Sequence, residues 1–450
     1  MTSFTEIMTY NTFKEKTIGV ISLGCDKNRV DTEKMLAVLG SDKITSEQEN
    51  AQIIIINSCA FLESSRKEAI ETVFEVNELR KTGKLEKIIL TGCMPQKFVQ
   101  DMFDEFKEVD VFLGTADYEL LPEAIELAYS GERVNFVGKA KEFKQEKRVV
   151  TTPLHYAYLK IADGCDNHCT YCLIPSIRGK YRSEPTEDLL EEAKALGEIS
   201  ELILVAQDIT RYGEDLYGEN KLTELLKKLS ALDNVGSIRL LYAYPDKLTD
   251  DIISEIKNNP KIIKYLDIPL QHADPVVLKR MNRKGTGEEY LDLIGKLRRE
   301  IPEIAIRSTF IAGFPGETEE QFENLLKFIK TARLTNAGFF AYSREEGTPA
   351  YKLPDQIDEK VKESRVKKLY AAQKKISKEH NLALVGKTLE VVCDGVDYDK
   401  QYFYGRAYFS APDIDGKVYF TYDGEIKQGE RYNVKITKAD DYDLYGEVKE

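Results

Sequence analysis

The chain has 450 residues, 42% of them hydrophobic, and a formal net charge of −13. Two or three domains are expected at this length, and no apolar run approaches the length of a membrane span. The negative charge argues against broad non-specific nucleic-acid binding but is compatible with a local basic patch. Residues 1–6 lack the pattern of a secretory signal. The seven cysteines are not spaced as a disulfide framework, so we expect thiols or metal ligands in a reducing cytoplasm.

Three cysteines of the N-terminal third each follow a predicted strand. The pairs in chain order are residues 17–23 with Cys25, 53–58 with Cys59, and 88–92 with Cys93. Predicted helices near 30–40 and 64–80 separate these strands, an alternation typical of a parallel α/β sheet. The carboxyl ends of such strands share one edge, where ligands bind, so we expect the three thiols to meet there. Any one of them alone would be interpreted as a buried structural cysteine.

A second set, Cys165, Cys169 and Cys172, stands on one loop at a Cys-x3-Cys-x2-Cys spacing. Three thiolates at this spacing can hold three irons of a 4Fe–4S cluster, which leaves the fourth iron open to chelate a small molecule. A zinc loop with His168 as the fourth ligand is the alternative. Zinc ligands, however, usually come as paired cysteines or as cysteine and histidine sets.

The middle of the chain alternates between predicted strands and predicted helices. The strands are 157–162, 201–206, 237–242, 265–270, 304–311 and 337–342, and the helices lie near 186–198, 221–230, 248–257, 287–300 and 317–332. Six strand–helix units predict a partial barrel that is open on one side, because a closed barrel of this kind needs eight. The loops after the strands are expected to carry the chemistry.

Several residues in those loops are candidates for a ligand site. Gln207 and Asp208 end the second strand and are placed to hold a ligand. His272 is either a hydrogen-bonded core histidine or a pocket residue. Gly313 belongs to a turn that can simply join a strand to a helix capped by Thr318.

The C-terminal part changes character. A charged helical connector is predicted over 356–382, and its charges are interpreted as a solvated face. Short alternating strands then predict a five-stranded OB-like barrel, with Cys393 as a structural thiol. Residues 387–450 contain nine Lys or Arg, fourteen Asp or Glu and nine Tyr, and the net charge of −5 favours a basic protein partner over nucleic acid. A local cationic patch would have to gather Arg406, Arg431, Lys435 and Lys438.

These motifs resemble the methylthiotransferases over nearly the whole chain. The stretches that resemble their N-terminal domain are 22–31, 57–61 and 91–94. Asp26 stands where many members have proline. The loop of Cys165, with Tyr171 before its last cysteine, resembles the radical S-adenosylmethionine (radical SAM) enzymes. The C-terminal barrel resembles, in position and length, the TRAM domain, an RNA-binding module of related enzymes.

The resemblance implies the fold, the domains and the cofactors. It implies an α/β protein with a methylthiotransferase N-terminal domain over 14–140, an open six-unit radical SAM barrel over 151–383 and a TRAM domain over 386–450. Two 4Fe–4S clusters are implied, a radical cluster on the one-loop cysteines and an auxiliary cluster on the three strand-end cysteines. The implied contacts of SAM are Tyr171 and Gly313, the latter through a close approach of its backbone. Gln207 and Asp208 are expected to hold SAM because of their position at a strand end. No acid–base pair is assigned.

Two groups of the family compete for the activity. The stretches 23–31, 172–179, 207–213 and 411–416 resemble the group that modifies an aspartate of ribosomal protein uS12, whereas the other group modifies isopentenyladenosine in transfer RNA. In the implied reaction one SAM methylates a sulfur at the auxiliary cluster. A second SAM, cleaved by one electron, yields the 5′-deoxyadenosyl radical that removes hydrogen from the aspartate β-carbon.

The implied partners are uS12 and an electron donor such as flavodoxin or ferredoxin, with the sulfur source unassigned and a cytoplasmic location expected. A non-enzymatic alternative is an iron–sulfur or zinc protein that only binds RNA. The polar strand-end loops of the six-unit barrel argue against it.

Overall fold

The computed structural model describes residues 12–40, 43–139 and 148–449. The expectation for residues 1–6 and the predicted domain ends at 140 and 450 therefore lie outside the described residues. The chain forms two compact units: unit 1 comprises Met1–Thr151 and Leu173–Lys180, and unit 2 comprises Thr152–Cys172 and Tyr181–Glu450. In the described part of the chain, no helix combines the length and the apolar character needed to cross a membrane.

Unit 1 is built on a six-stranded, wholly parallel sheet in the order β2-β1-β3-β4-β5-β6. Its strands are β1 (Ile18–Ser22), β2 (Ile44–Thr45), β3 (Ile53–Ser58), β4 (Lys87–Gly92), β5 (Val111–Phe112) and β6 (Val134–Asn135). Its helices are α1 (Asp26–Leu39), α2 (Glu63–Thr82), α3 (Cys93–Glu105), α4 (Leu121–Tyr129) and the short α5 (Ile174–Ile177). The three predicted strands and two predicted helices are confirmed.

The isoleucine run of β3 explains why this sheet is buried on both faces. Ile54 and Ile56 pack with side chains of α2 and α3 in one core cluster, whereas Ile53 and Ile55 pack with side chains of α1 and α4 in another. Alternate residues of a strand point to opposite faces, so a strand covered by helices on both sides must be apolar throughout.

Unit 2 contains the six predicted strand–helix units as an open parallel sheet in the order β14-β13-β12-β11-β10-β7. Its strands are β7 (Tyr156–Lys160), β8 (Ala162–Asp163), β9 (Arg182–Ser183), β10 (Glu201–Val205), β11 (Ile238–Leu240), β12 (Ile262–Asp267), β13 (Ala305–Ala312) and β14 (Asn336–Ala341). Its helices are α6 (Thr186–Ala195), α7 (Glu214–Tyr217), α8 (Leu222–Ser230), α9 (Asp250–Asn258), α10 (Pro275–Arg280), α11 (Gly287–Glu300) and α12 (Glu319–Ala332). The sequence did not predict α7, α10 or the antiparallel β8–β9 pair.

The remainder of unit 2 is a long helix and a closed barrel. The elements are α13 (Glu359–Leu382), β15 (Thr388–Asp397), β16 (Tyr402–Arg406), β17 (Val418–Thr421), β18 (Arg431–Ala439) and β19 (Leu444–Val448). The barrel closes in the order β15-β16-β17-β19-β18, which confirms the predicted five-stranded OB-like barrel. Cys393 is 1% exposed and packs in the barrel core, as a structural thiol should.

The interpretation of the α13 charges as a solvated face is wrong for two of them. Lys362 and Arg365 are buried, and Arg365 Nη1 donates to the buried carboxylate of Glu317 at 2.9 Å. These two side chains are buried because α13 packs against α12 and β14. A charge buried in such a contact is stabilised by an opposite charge instead of by water.

Buried ion pairs dock the small barrel on the open sheet within unit 2. Arg406 contacts Glu201 at 2.8 Å and Asp394 at 2.8 Å, and Glu201 also pairs with Arg239. Arg406 is only 5% exposed. The cationic patch considered from sequence is therefore incomplete, because one of its four members serves this internal contact.

Candidate functional site

The three strand-end cysteines of unit 1 lie together at one edge of the sheet. Cys59 and Cys93 directly follow β3 and β4, and Cys25 precedes α1, after β1. The sulfurs of Cys25 and Cys93 each lie 3.7 Å from the same atom, Asn28 Oδ1. A Cβ atom placed on Gly24 would lie 3.4 Å from the sulfur of Cys59. The thiols that the sequence predicted to converge are thus brought together, although their ligand role stays a prediction.

Asn28 organises this edge and was not predicted. Its Nδ2 donates to the carbonyl of Leu23 at 3.3 Å and to that of Ser58 at 3.1 Å, and so ties the end of β1 to that of β3. Its own carbonyl accepts from Asn57 Nδ2 at 2.8 Å. Polar residues that follow apolar strands were the available signal, but nothing in the sequence says which of them turn inward.

Burial governs the protonation of these thiols. Burial raises the pKa of Cys93 to about 12, while the Arg178 guanidinium acts in the opposite direction and the neighbouring Cys25 and Cys59 raise it further. Burial also raises the pKa of Cys59, opposed by the backbone N–H of Phe61. Metal loading must therefore displace protons from these sulfurs.

The second cysteine set lies in unit 2, in the loop that follows β7 and the short β8. Cys165 and Cys169 are buried and Cys172 is partly buried. Burial raises the pKa of Cys165 to about 11, and the hydroxyl of Tyr244 lies 3.1 Å from the sulfur of Cys169. His168 is exposed, and its carbonyl accepts from Asn282 Nδ2 at 3.0 Å, so the arrangement offers no support for it as an inward fourth ligand.

The side chain of Asp208 contacts the cysteine loop, and that of Gln207 contacts Asp163, two residues before Cys165. Asp208 Oδ2 accepts from Asn167 Nδ2 at 3.2 Å, and burial raises the pKa of Asp208. Gln207 Nε2 donates to Asp163 Oδ1 at 3.1 Å, whereas its buried Oε1 has no hydrogen-bond partner within the described residues. An acceptor left without a donor in a buried place suits a bound ligand.

A cation beside the loop was missed by sequence reasoning. The guanidinium of Arg283 is buried and lies 4.1 Å from the ring centre of Tyr244. Its Nη2 donates to the carbonyl of Pro269. Arg283 and Tyr244 also line a cavity of about 270 Å³ together with Asn167 of the cysteine loop. Arg283 lies far along the chain from the cysteines, so no sequence motif connects it with their loop.

Two further candidates have structural roles in the fold. His272 is fully buried, its Nδ1 accepts from the backbone N–H of Asp274 at 3.0 Å, and its Nε2 lies 3.5 Å from Glu317, which matches the core interpretation. Gly313 has a φ of 78°, and a Cβ there would lie 2.3 Å from Lys362 Cγ. Thr318 does cap α12, with a capping box. A contact of Gly313 or Tyr171 with SAM stays a prediction.

The outer face of the small barrel carries lysines over tyrosines. Lys400 lies 3.8 Å from the ring centre of Tyr419, and Lys438 lies 4.7 Å from that of Tyr445. The two rings stack at 5.3 Å. Each lysine also lies within 4.0 Å of a carboxylate, Lys400 of Asp397 and Lys438 of Asp440. The surface thus combines aromatic rings with ion-paired lysines, which a charge count over residues 387–450 cannot show.

Among the described residues, no three His, Cys, Asp or Glu side chains converge closely enough to hold a single metal ion. A four-iron cluster attaches each thiolate to a different iron, so its ligands stand farther apart than those of one ion. The donor sets found here are three thiols each, which is the soft chemistry that iron–sulfur clusters require.

Comparison with known proteins defines the class. The model of the radical SAM superfamily matches residues 159–329, that of "Uncharacterized protein family UPF0004" matches 17–114, and that of the TRAM domain matches 385–448. The radical SAM match spans the cysteine loop and β7 to α12, so the chain is a radical SAM protein with an N-terminal α/β part and a C-terminal TRAM barrel.

Curated relatives fix the family within that class. The chain is 47% identical to the ribosomal protein uS12 methylthiotransferase RimO of Thermoanaerobacter sp. (strain X514) over 96% of this chain and 100% of the relative. It is 45% identical to the RimO protein of Geobacter sulfurreducens over 97% of this chain and 99% of the relative. The chain belongs to the RimO family of methylthiotransferases.

Solved structures support the fold alone. The chain matches the radical S-adenosylmethionine methyltransferase TsrM from Kitasatospora setae with a TM-score of 0.54 and 13% identity, over 74% of this chain and 76% of that one. It matches the cobalamin-dependent radical enzyme OxsB with a TM-score of 0.50 and 12% identity, over 82% of this chain and 57% of that one.

Proposed function

We propose that this chain is a radical SAM methylthiotransferase that adds a methylthio group to the β-carbon of an aspartate in ribosomal protein uS12. The observation that carries the proposal is the pair of three-cysteine sites in a chain 47% identical, over 96% of its length, to a named uS12 methylthiotransferase. The proposed domains are 14–140, 151–383 and 386–450.

The proposed ligands are the two thiol sets. The residues that would hold a 4Fe–4S cluster in unit 1 are Cys25, Cys59 and Cys93, and those in unit 2 are Cys165, Cys169 and Cys172. When bound, the cofactors supply one-electron chemistry that can break an unactivated C–H bond, which no side chain can do.

Side chains near the unit 2 loop would orient the cofactors. The Tyr244 hydroxyl can donate to the sulfur of Cys169, and such hydrogen bonds tune cluster potentials. The unpartnered Oε1 of Gln207 would accept from a donor of SAM, and Asp208 fixes Asn167 inside the loop. Tyr171 and Gly313 remain proposed SAM contacts.

The proposal includes partners. We infer that an electron donor such as flavodoxin or ferredoxin feeds the reaction in the cytoplasm. No residue is assigned to the sulfur source.

The cysteine assignments are tested by iron content. Anaerobically reconstituted parent protein is expected to hold about eight irons, and alanine replacement of either cysteine set should remove about half of them. The Cys393→Ala variant is a matched control, because that thiol is buried in the small barrel and should leave the iron unchanged. Full iron in either triple variant would refute the corresponding set.

Product analysis separates the roles of the two sets. Without Cys165, Cys169 and Cys172, formation of 5′-deoxyadenosine should stop. Without Cys25, Cys59 and Cys93, 5′-deoxyadenosine should still form while methylthio product disappears. Product formation by the second variant would show that those cysteines are only structural.

The lysine and tyrosine surface favours transfer RNA as the second candidate substrate, since bases stack on aromatic rings and lysines attract phosphate. The decisive measurement is the binding of uS12 and of transfer RNA at one ionic strength, together with mass spectrometry of both from a deletion strain. Tighter uS12 binding and unmodified uS12 in that strain are expected. If transfer RNA binds more tightly and Lys400→Ala with Lys438→Ala removes that binding, the substrate is transfer RNA.

A further inference from the structure

A buried cation lies against the three-cysteine edge of unit 1. Arg178 is 4% exposed, and its Nη2 lies 2.7 Å from Asn28 Oδ1, 2.9 Å from Asp31 Oδ2 and 3.8 Å from the sulfur of Cys93. Arg178 follows α5 in the segment that returns to unit 1, so it reaches this edge from far along the chain.

The guanidinium is held firmly in that place. The side chains of Arg178 and Asp31 are 1% and 2% exposed. Removing either partner of a buried ion pair strongly destabilises a folded protein, because the other charge is left uncompensated. The oxygen of Asn28 that accepts from Arg178 also faces the sulfurs of Cys25 and Cys93. The charge and the thiols therefore share one hydrogen-bonded cluster.

An iron–sulfur cluster on three thiolates is negatively charged, and reduction adds one more negative charge. Burying such charge without a counter-charge is costly. Net charge and hydrogen bonds to the sulfurs set the reduction potential of such a cluster. A fixed cation near one ligand sulfur stabilises the reduced form more than the oxidised one.

We propose that Arg178 is a positioning residue of the unit 1 site, whose charge, held against the Cys93 sulfur, raises the reduction potential of the cluster bound there. The inference rests on the proposed function, because it requires a cluster on Cys25, Cys59 and Cys93. Asp31 has the opposite sign and is expected to lower the same potential.

The opposite signs give a test that a purely structural role would fail. The experiment uses the full chain with Cys165, Cys169 and Cys172 replaced by alanine, so that only the unit 1 cluster is present. Its midpoint potential is measured by a redox titration followed by electron paramagnetic resonance. Arg178→Gln should shift the potential to a more negative value and Asp31→Asn to a more positive one, while Arg178→Lys, which keeps the charge, should stay closest to the parent.

Arg133→Gln serves as the matched control. Arg133 is a partly buried arginine of the same unit that directly precedes β6. It donates to the carbonyls of Val109 and Phe106, which precede β5, so it lies at the strand ends opposite to the cysteines. It should leave the potential unchanged.

The outcomes distinguish the proposed cluster site of unit 1 from the proposed role of Arg178. If the alanine background itself binds no cluster, the proposed unit 1 site fails. If it binds one and Arg178→Gln and Asp31→Asn shift the potential in the same direction or not at all, the site stands and the role of Arg178 is refuted. If Arg178→Gln does not fold, the other two variants decide. A potential close to that of the parent for Arg178→Lys together with a positive shift for Asp31→Asn supports the proposal, whereas a negative shift or no shift for Asp31→Asn overturns it.

Discussion

Gly92 is the residue at which the cysteine edge of unit 1 has the least room. Its φ is 95°, and a Cβ there would lie 2.3 Å from Asn57 Oδ1 and 2.6 Å from the carbonyl oxygen of Ser58. In the parallel register of β3 and β4, Ser58 lies opposite Gly92, and Cys59 and Cys93 are the next residues of the two segments. Glycine is therefore required both for the backbone conformation and for the packing.

Gly92→Ala should destabilise the protein and disturb the cysteine edge. Strain at a positive φ costs about 1–3 kcal/mol, and the contacts with Asn57 and Ser58 add to it. Gly131→Ala is the matched control, with a φ of 99° but no heavy atom within 4 Å of the new Cβ. Thermal unfolding and iron content measure both effects, and only Gly92→Ala should lose unit 1 iron. Equal losses in the two variants would mean that strain alone matters.

At the scale of elements, α13 packs against the open sheet and α12, and some of its charged side chains form buried ion pairs there. The carboxylate of Glu317 is fully buried and accepts from the backbone N–H of Gly313 at 2.8 Å as well as from Arg365. The helix thus holds the turn after β13, at the carboxyl edge of the open sheet. A helix that is rich in charged residues can therefore pack against the core, because a buried cation such as Arg365 meets the opposite charge of Glu317.

Arg365→Met should lower the free energy of unfolding by about 3–5 kcal/mol, because it leaves the carboxylate of Glu317 buried without its counter-charge. Lys378→Met on the same helix is the control, since Lys378 is 54% exposed and pairs with the partly exposed Asp441. That surface pair should contribute no more than about 1 kcal/mol. Chemical denaturation of the metal-free protein measures both, and comparable losses would contradict the role of Arg365.

Periodicity predicted the elements well and the contacts between them poorly. The apolar runs of β3 and β4 and the spacing of the one-loop cysteines are local signals, and the structure has both where they were expected. Arg178 and Arg283 could not be found in the same way, because each reaches its site through the fold and not through spacing. Charge counts failed for the same reason at Arg406, whose partner Glu201 is far away in sequence.

On the scale of the whole molecule, the small barrel is joined to the open sheet by charges and not only by apolar contacts. Besides the Glu201 cluster, Arg307 contacts Asp415 at 2.5 Å and Tyr265 donates to Asp415 at 2.7 Å. Deleting residues 387–450 would therefore take Arg406 away from Glu201, the Tyr408 carbonyl away from Arg239 and Asp415 away from Arg307. Point variants such as those of Lys400 and Lys438 test the barrel surface more cleanly.

The ion pairs of Glu201 with Arg239 and Arg406 predict that the stability of the protein falls in acid. Burial alone would raise the pKa of Glu201, but Arg239 and Arg406 outweigh it and lower the pKa from its ordinary 4.5 to about 2. The stabilisation is present above pH 4.5 and is lost as the pH falls toward 2. The melting temperature of the parent should fall over that interval more steeply than that of Glu201→Gln, which should be lower at pH 7. Parallel pH profiles would refute the prediction.

Unit 1 takes its last piece, Leu173–Lys180, from the middle of the chain. Leu173 and Ile177 belong to its apolar core, and Arg178 pairs with Asp31. During synthesis the N-terminal sheet can collect its strands early, but it cannot complete this corner until residue 180 has left the ribosome, after the cysteine loop of unit 2 has already emerged. A fragment that stops at residue 151 would lose Leu173 and Ile177 from the apolar core of unit 1 and would separate Asp31 from Arg178. A cut after residue 151 therefore removes part of unit 1 and does not fall between two complete units.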